Sequence, residues 1–367
     1  MLLPANLNYG ARRARASLLL VLQRPNWLPT YLPELDGVRG LAILAVVLYH
    51  CHPRLEGTWL YRASLWGWAG VTVFFFLSGF LITSNLLTVR DREHYFHNFH
   101  ARRALRIWPL YILLLVVCYL NAEWFIGPPI WQAVKAAPWL AYIFFVQNLF
   151  HLTLPPAIGP TWALAIEEQY YFVWAPAVRW LRRPWMLAAL LSAAVVASPL
   201  VRRFYGSGLT PTHTLIHLDG LALGSLLAIG LYTLGWPQKL WRALGAILFV
   251  AGIGAAATIA GGTAYLDSAL AFGLGGGILV VATLHGNRFC GMLRRGPLPY
   301  YGKISYGLYL CHIAVFIYFG SFDVKMDPYG LRGNLAVVAM RLLTSTAVAS
   351  ILWYGVESRI LKLKRHF

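Results

Sequence analysis

Charge is the scarcest feature of this chain. Only 12% of its 367 residues are charged and only 13 are acidic, against about 25% charged in an ordinary soluble domain. With 59% apolar or aromatic residues and a mean hydropathy of +0.59, this excludes a soluble globular enzyme and a disordered protein. A water-facing core of this length could not hide so much apolar surface. Cysteine is sparse too. Cys51, Cys118, Cys290 and Cys311 are scattered, and with no CxxC pair neither a zinc site nor a disulfide framework is indicated. The N-terminal stretch is not expected to be a signal peptide. The stretch from Leu18 to Leu22 is five residues, shorter than the roughly 7–15 of a signal-peptide core. No internal repeat or low-complexity segment stands out.

What the sequence does have is apolar runs near 20 residues, the length that spans a bilayer core. The expected fold is all-α: a polytopic transmembrane helix bundle of about ten spans, at 38–56, 66–88, 104–121, 161–179, 184–200, 215–235, 240–260, 266–285, 304–321 and 335–356. The apolar stretch 138–150 is short for a crossing and is read as a re-entrant or surface helix. The net charge of +18 then has a topological meaning, because basic residues gather in cytoplasmic loops, and it does not call for nucleic acid. With both termini cytoplasmic, most of the 31 Lys and Arg fall on the inner side. Counting 138–150 as a full span would send Arg179–Arg183, Arg288–Lys303 and the basic tail outward. The domains follow: residues 1–33 a basic cytoplasmic arm, perched on anionic membrane lipid; 34–358 the membrane domain; 359–367 a short basic tail.

Charge inside hydrocarbon is costly, so each polar residue in a span marks a site. Arg39 and His50 in the first span are eleven residues apart. Eleven steps of about 100° place them on one helix face, about 16 Å apart along the axis. The competing reading is a snorkelling Arg and a His satisfied inside the bundle. Arg102, Arg103 and Arg106 open the third span, with 102 and 106 on one face. Guanidinium forks bind phosphate oxygens. Plain positive-inside charge explains them equally, although cations at a helix N-terminus oppose the macrodipole. Glu167 and Glu168 are adjacent carboxylates in the fourth span, of which one shares the direction of Trp162 and Tyr170–Tyr171; an ion pair with an Arg is the structural alternative. Tyr309 and His312 are neighbours on the ninth span, beside Ser305 and Tyr306. His213 and His217 form a weak HxxxH pair, read as helix-end packing, with Asp219 near the outer mouth. Glu357 is expected to be an ion-pair partner at the inner edge. By depth these residues form a trail that suits a donor from the cytoplasm meeting an acceptor from the other side. It equally suits a permeation pathway.

The motifs LDGVRG followed by LYH, FFFLSGFLIT, RRALRIWPLY, WALAIEEQYYF and ISYGLYLCH occur in this order. Together they resemble the acyltransferase-3 family, integral membrane acyltransferases that acylate bacterial polysaccharides, lipopolysaccharide, peptidoglycan, Nod factors and some macrolides. The resemblance runs from about Leu35 to Glu357. Val38 replaces the usual Leu, Ala163 the usual Ser or Thr, and Glu357-Ser358-Arg359 stands for Glu-Arg/Lys-Pro. It implies acyl-CoA as donor, acetyl-CoA foremost, no metal, and a carbohydrate or glycoconjugate acceptor at the inner membrane. It assigns Arg39, His50 and Glu167 to catalysis, and Arg102, Arg103 and Arg106 to the CoA phosphates. Asp36, Trp162, Tyr170, Asp219, Tyr309 and His312 are expected around the substrate. Many relatives carry a fused esterase-like domain, and this chain is expected to act without one. Two other functions fit the same residues: a transporter or flippase of a lipid-linked saccharide, for which inverted repeats would be expected, and a non-catalytic binding subunit. Oligomeric state is not encoded in these motifs.

Overall fold

The computed structural model describes residues 24–120, 139–150, 156–259, 265–323 and 331–367. Residues 1–23 of the basic arm lie outside them. All regular structure among the described residues is helical. Ten long helices form the body: α1 Pro33–His50, α2 Ala69–Val89, α3 Tyr95–Leu120, α4 Thr161–Trp180, α5 Pro184–Tyr205, α6 Leu218–Thr233, α7 Gln238–Thr258, α8 Leu266–Thr283, α9 Pro297–Asp323 and α10 Leu331–Leu352. Seven helices are long and apolar enough to cross a membrane, as a polytopic helical bundle requires. The three expected spans outside that set are α1, α4 and α6. They carry Asp36 and Arg39, Glu167 and Glu168, and Asp219. The helices that look least like membrane spans are therefore those with acidic residues in or beside their apolar runs.

Several boundaries differ from the sequence reading. α1 stops at His50, six residues early, and Pro53 sits in the 3₁₀ turn His52–Leu55 that follows. Proline has no N–H to continue an α-helical ladder. His50 is thus the last residue of its helix. α3 begins at Tyr95 and carries the three arginines in its third and fourth turns, with Pro109 inside. Of residues 139–150, the described part of the 138–150 stretch, only Trp139–Ile143 is helical, too short to cross. Residues 24–32 are irregular and lie on the bundle: Arg24 Nε donates to the Tyr232 hydroxyl at 3.3 Å and a His285 ring N–H reaches the Trp27 carbonyl at 2.6 Å.

Cross-helix pairs give the helix directions. Arg39 pairs with Ser305 and His50 with His312, so α1 and α9 run parallel. Ser78 pairs with Glu167 and Thr83 with Trp174, so α2 and α4 run parallel. α3 runs against α4, since Tyr95 reaches Ala175 while Arg103 reaches Tyr171. Odd and even helices therefore point opposite ways here.

Two close crossings hold the frame. Where α1 meets α9, a Cβ on Gly40 would enter the Leu298 carbonyl and one on Gly302 would enter the Asp36 carbonyl. Where α2 meets α6, a Cβ on Gly79 would enter the Leu221 carbonyl. Small residues let membrane helices touch backbone to backbone, where packing replaces the absent hydrophobic drive.

Asp219 belongs to this frame and lines neither chamber described below. Its Oδ2 accepts from Arg202 Nη2 at 2.5 Å and from Ser268 Oγ at 2.6 Å, with side chains 7% and 4% exposed. Arg202 also donates to the Ile216 carbonyl. Asp219 was expected near the substrate; it is instead the tie between α5, α6 and α8. Arg202→Met should lower stability by about 3–5 kcal/mol, the cost of stranding a buried charge, read as a fall in the thermal unfolding midpoint in detergent. Gly302→Val should fall similarly, by about 1–3 kcal/mol from overpacking.

Candidate functional site

The bundle holds two chambers at the two ends of α1. The first, of about 140 Å³, is lined by Arg39, Arg103, Arg106, Ser78, Glu167 and Ser305 among others. The second, of about 600 Å³, is lined by His50, Trp162, His217 and Asp267, with Tyr49 and Trp68. Val71, Phe75 and Tyr309 line both, so these three side chains form the wall between them.

The arginine chamber is built from α1, α2, α3, α4 and α9. Arg39 donates from Nη2 to Ser305 Oγ at 3.0 Å, and Ser305 is itself anchored to the Gly302 carbonyl at 2.8 Å. Asp36 lies 4.0 Å from Arg39 on the other side and accepts from the Tyr31 hydroxyl at 2.5 Å. That bond pushes the exposed Tyr31 phenol up to about 12, since the carboxylate beside it disfavours phenolate. Arg103 lies over the Tyr171 ring at 4.8 Å, and the Tyr171 hydroxyl donates to Glu167 Oε2 at 2.8 Å, opposite Ser78 Oγ on Oε1 at 2.8 Å. Three guanidinium groups thus share a chamber with one carboxylate, and that carboxylate is already accepting two hydrogen bonds. The excess is cationic and suits a multiply charged anion.

Arg102 is exposed and lines neither chamber. The arginines that point in are Arg103 and Arg106, three residues apart, whereas the sequence spacing had favoured 102 with 106. Arg39 also lines an adjoining cavity of about 390 Å³, with Arg24, Tyr31, Asp36 and Asn85. Glu357, expected to form an ion pair, is buried and makes none among the described residues, and its Oε2 has no hydrogen-bond partner.

In the second chamber His50 meets His312. His50 Nδ1 lies 2.9 Å from the Val46 carbonyl and 3.3 Å from His312 Nε2. His312 Nδ1 lies 2.8 Å from the Tyr309 carbonyl. A carbonyl accepts only a proton-bearing nitrogen, so these contacts assign the hydrogen to Nδ1 of each ring. His50 Nδ1–H is then shared between Val46 and the lone pair of His312 Nε2. That leaves His50 Nε2 as the nitrogen able to take up a proton. His312 is fully buried, while His50 is half-buried on the chamber wall.

The structure does not bring Glu167 to His50. Glu167 belongs to the arginine chamber and His50 to the other, so the expected carboxylate–imidazole pair is replaced by two imidazoles. Tyr170 also lies elsewhere: its hydroxyl meets Ser225 Oγ at 2.6 Å and its ring stacks on Trp174 at 5.8 Å. Trp162 and Tyr309 line the second chamber. Ser78 and Asp267 were not singled out from the sequence, and Tyr171 was named only for its direction beside the glutamates. A lone Ser in FFFLSGFLIT and an Asp opening α8 were the available signals.

A family model describing an acyltransferase domain, of the acyltransferase-3 type, matches residues 32–354. The peptidoglycan O-acetyltransferase OatA of Listeria monocytogenes is 29% identical over an alignment covering 78% of this chain and 49% of that protein. The O-acetyltransferase OatA of Staphylococcus aureus is 26% identical, covering 91% and 58%. A putative peptidoglycan O-acetyltransferase, YrhL, of Bacillus subtilis is 28% identical, covering 90% and 55%. The chain spans about half the length of these curated relatives. No solved structure matches it. The motifs, their order along the bundle and a match over most of the sequence lead to one placement: the chain belongs to the acyltransferase-3 family.

Proposed function

We propose that this chain is a membrane O-acyltransferase that moves an acetyl group from acetyl-CoA to a hydroxyl of a carbohydrate. The observation that carries the reading is the pair of chambers, one cationic and one holding a base-competent imidazole, that share a single wall. The names of the relatives support O-acetylation and a saccharide acceptor of the peptidoglycan type. In this reading ten helices cross the cytoplasmic membrane, both termini are cytoplasmic, and α1 carries Arg39 at the inner side and His50 toward the outer. The opposite directions of odd and even helices agree with that path, and so does the failure of 139–150 to cross.

The CoA phosphates dock on Arg103 and Arg106, with Arg39 beyond them, through charge-assisted hydrogen bonds. Arg102 meets them at the approach. The pantetheine arm then runs along α1. Its reach, on the order of half the bilayer core or about 15 Å, matches the separation of about 16 Å between Arg39 and His50. It passes Tyr309 and presents the thioester beside His50. His50 Nε2 takes the proton of the acceptor hydroxyl as its oxygen attacks the thioester carbon. The C–S bond breaks, the proton passes to the departing thiolate, and the products are the O-acyl ester and free CoA. His312 Nε2 and the Val46 carbonyl hold Nδ1–H throughout and stabilise the imidazolium, the part a carboxylate plays in a hydrolase triad. Glu167 acts on the donor side, through Tyr171 and Ser78.

A flippase would use the same two chambers without acyl chemistry. Membranes containing the chain and radiolabelled acetyl-CoA separate the two: label entering saccharide supports transfer, and label entering nothing overturns it. His50→Ala should reduce transfer by about 10²- to 10⁴-fold with acetyl-CoA affinity unchanged, measured by isothermal titration. Arg103→Ala and Arg106→Ala should each raise the acetyl-CoA Kd tenfold or more, at about 1.5–3 kcal/mol per charged hydrogen bond. Arg102→Ala should change it least.

A further inference from the structure

The chamber beside His50 has a composition unlike its neighbour. Among the described residues no Lys or Arg lines it, and the one charged group apart from the imidazoles is the Asp267 carboxylate. The phosphate-rich donor is therefore directed to one chamber, and an uncharged or weakly charged partner to the other. At about 600 Å³ it falls in the usual range of ligand sites.

Three rings form a corner of this chamber. Trp162 and His217 lie 5.0 Å apart at 39°. Phe75 approaches Trp162 at 6.0 Å and 78°, and His217 at 6.2 Å and 51°. The His217 ring is locked in place by its Nε2–H, which donates to the Pro211 carbonyl at 2.9 Å. Its Nδ1 lone pair is then an acceptor. A fixed aromatic wall presents negative π faces, which complement the weakly positive C–H face of a pyranose ring. Rigid walls also lower the ordering cost of binding.

Asp267 is the looser of two carboxylate partners of Arg202. Arg202 already has a carboxylate partner in Asp219 at 2.5 Å, while Asp267 stands 3.7 Å from Arg202 and is 22% exposed. Asp267 is thus a second carboxylate beside Arg202, placed on the chamber wall. An ionised carboxylate accepts only, and adjacent sugar hydroxyls are donors that can engage both its oxygens. An acyl chain would gain nothing from such a group and would leave its charge unsatisfied.

We propose that this chamber is the acceptor site, in which Trp162, His217 and Phe75 stack a sugar ring and Asp267 accepts its hydroxyls, presenting one further hydroxyl to His50. The assignment rests on the acyltransferase reading above for the chemistry, but not for the binding. The occupant is a neutral saccharide rather than the acyl chain of the donor.

The test uses the purified full chain in nanodiscs and two soluble probes, chitotetraose and maltotetraose. Saturation-transfer NMR should show saturation on the ring C–H protons of at least one probe with the unsubstituted chain. The signal should be lost in Trp162→Leu and His217→Leu, kept in His217→Phe, and weakened more by Asp267→Leu than by Asp267→Asn. With acetyl-CoA present, the acceptor KM should rise at least tenfold in Trp162→Leu and His217→Leu, while the acetyl-CoA Kd stays within twofold. That donor affinity shows the variants are folded. Absence of saturation with both probes overturns the proposal, as does an unchanged acceptor KM in both Leu variants or a parallel rise in the acetyl-CoA Kd. Saturation that depends on Trp162, without any acetyl transfer, upholds the saccharide site and overturns the transferase reading instead.

Discussion

The backbone contact between α1 and α9 is the constraint on which the rest depends. Gly40 and Gly302 allow the two helices to touch where any side chain would collide with a carbonyl. Because they run parallel, one contact fixes two distant meetings. At one end Arg39 reaches Ser305, and at the other His50 reaches His312. A helix moved outward by the width of a methyl group would lose both. The guanidinium and the imidazole are therefore held as a fixed pair by packing, with no direct bond between them.

The polar groups that α1 and its neighbours present to the chambers are held by partners. Arg39, Glu167, His50 and His312 each make at least one hydrogen bond across helices or to a carbonyl. Burial without a partner would cost several kcal/mol. The same economy separates the charges. The guanidinium groups collect in the chamber that holds Glu167, while Asp219 and Asp267 share Arg202 at the other end of the molecule. Two environments of opposite sign are thus kept apart by Val71, Phe75 and Tyr309, an apolar wall one side chain thick. Catalytic groups that must meet substrates of different charge are served by such a division, because each substrate is attracted to its own side.

The relatives are named as O-acetyltransferases, two of them of peptidoglycan. The overlap with them covers about half their length, so it is the chambers of this chain that carry the mechanism proposed for it. In the proposed mechanism, exchange of the expected Glu167–His50 pair for His50–His312 changes the character of the base. A neutral imidazole partner stabilises a neighbouring imidazolium less than a carboxylate would, and leaves the base weaker and the leaving proton easier to return.

Much of the fold was legible along the chain. Each apolar run near 20 residues is a helix, because hydrocarbon requires every backbone N–H and C=O to be satisfied within its own segment. Arg39 and His50 could be put on one face from helix geometry alone, and Glu167 could be singled out as a carboxylate in an apolar run. Those are local properties, set by neighbours in sequence. Which arginine points inward was not local: Arg103 turns to the Tyr171 ring on α4, and Arg102 is left outside. Nor could periodicity reveal that Asp219 is taken by Arg202, that Tyr170 turns to Ser225, or that His50 ends its helix against His312. Those choices were decided where helices far apart in sequence cross at glycines, since only that approach fixes which polar atom lies within 3 Å of which.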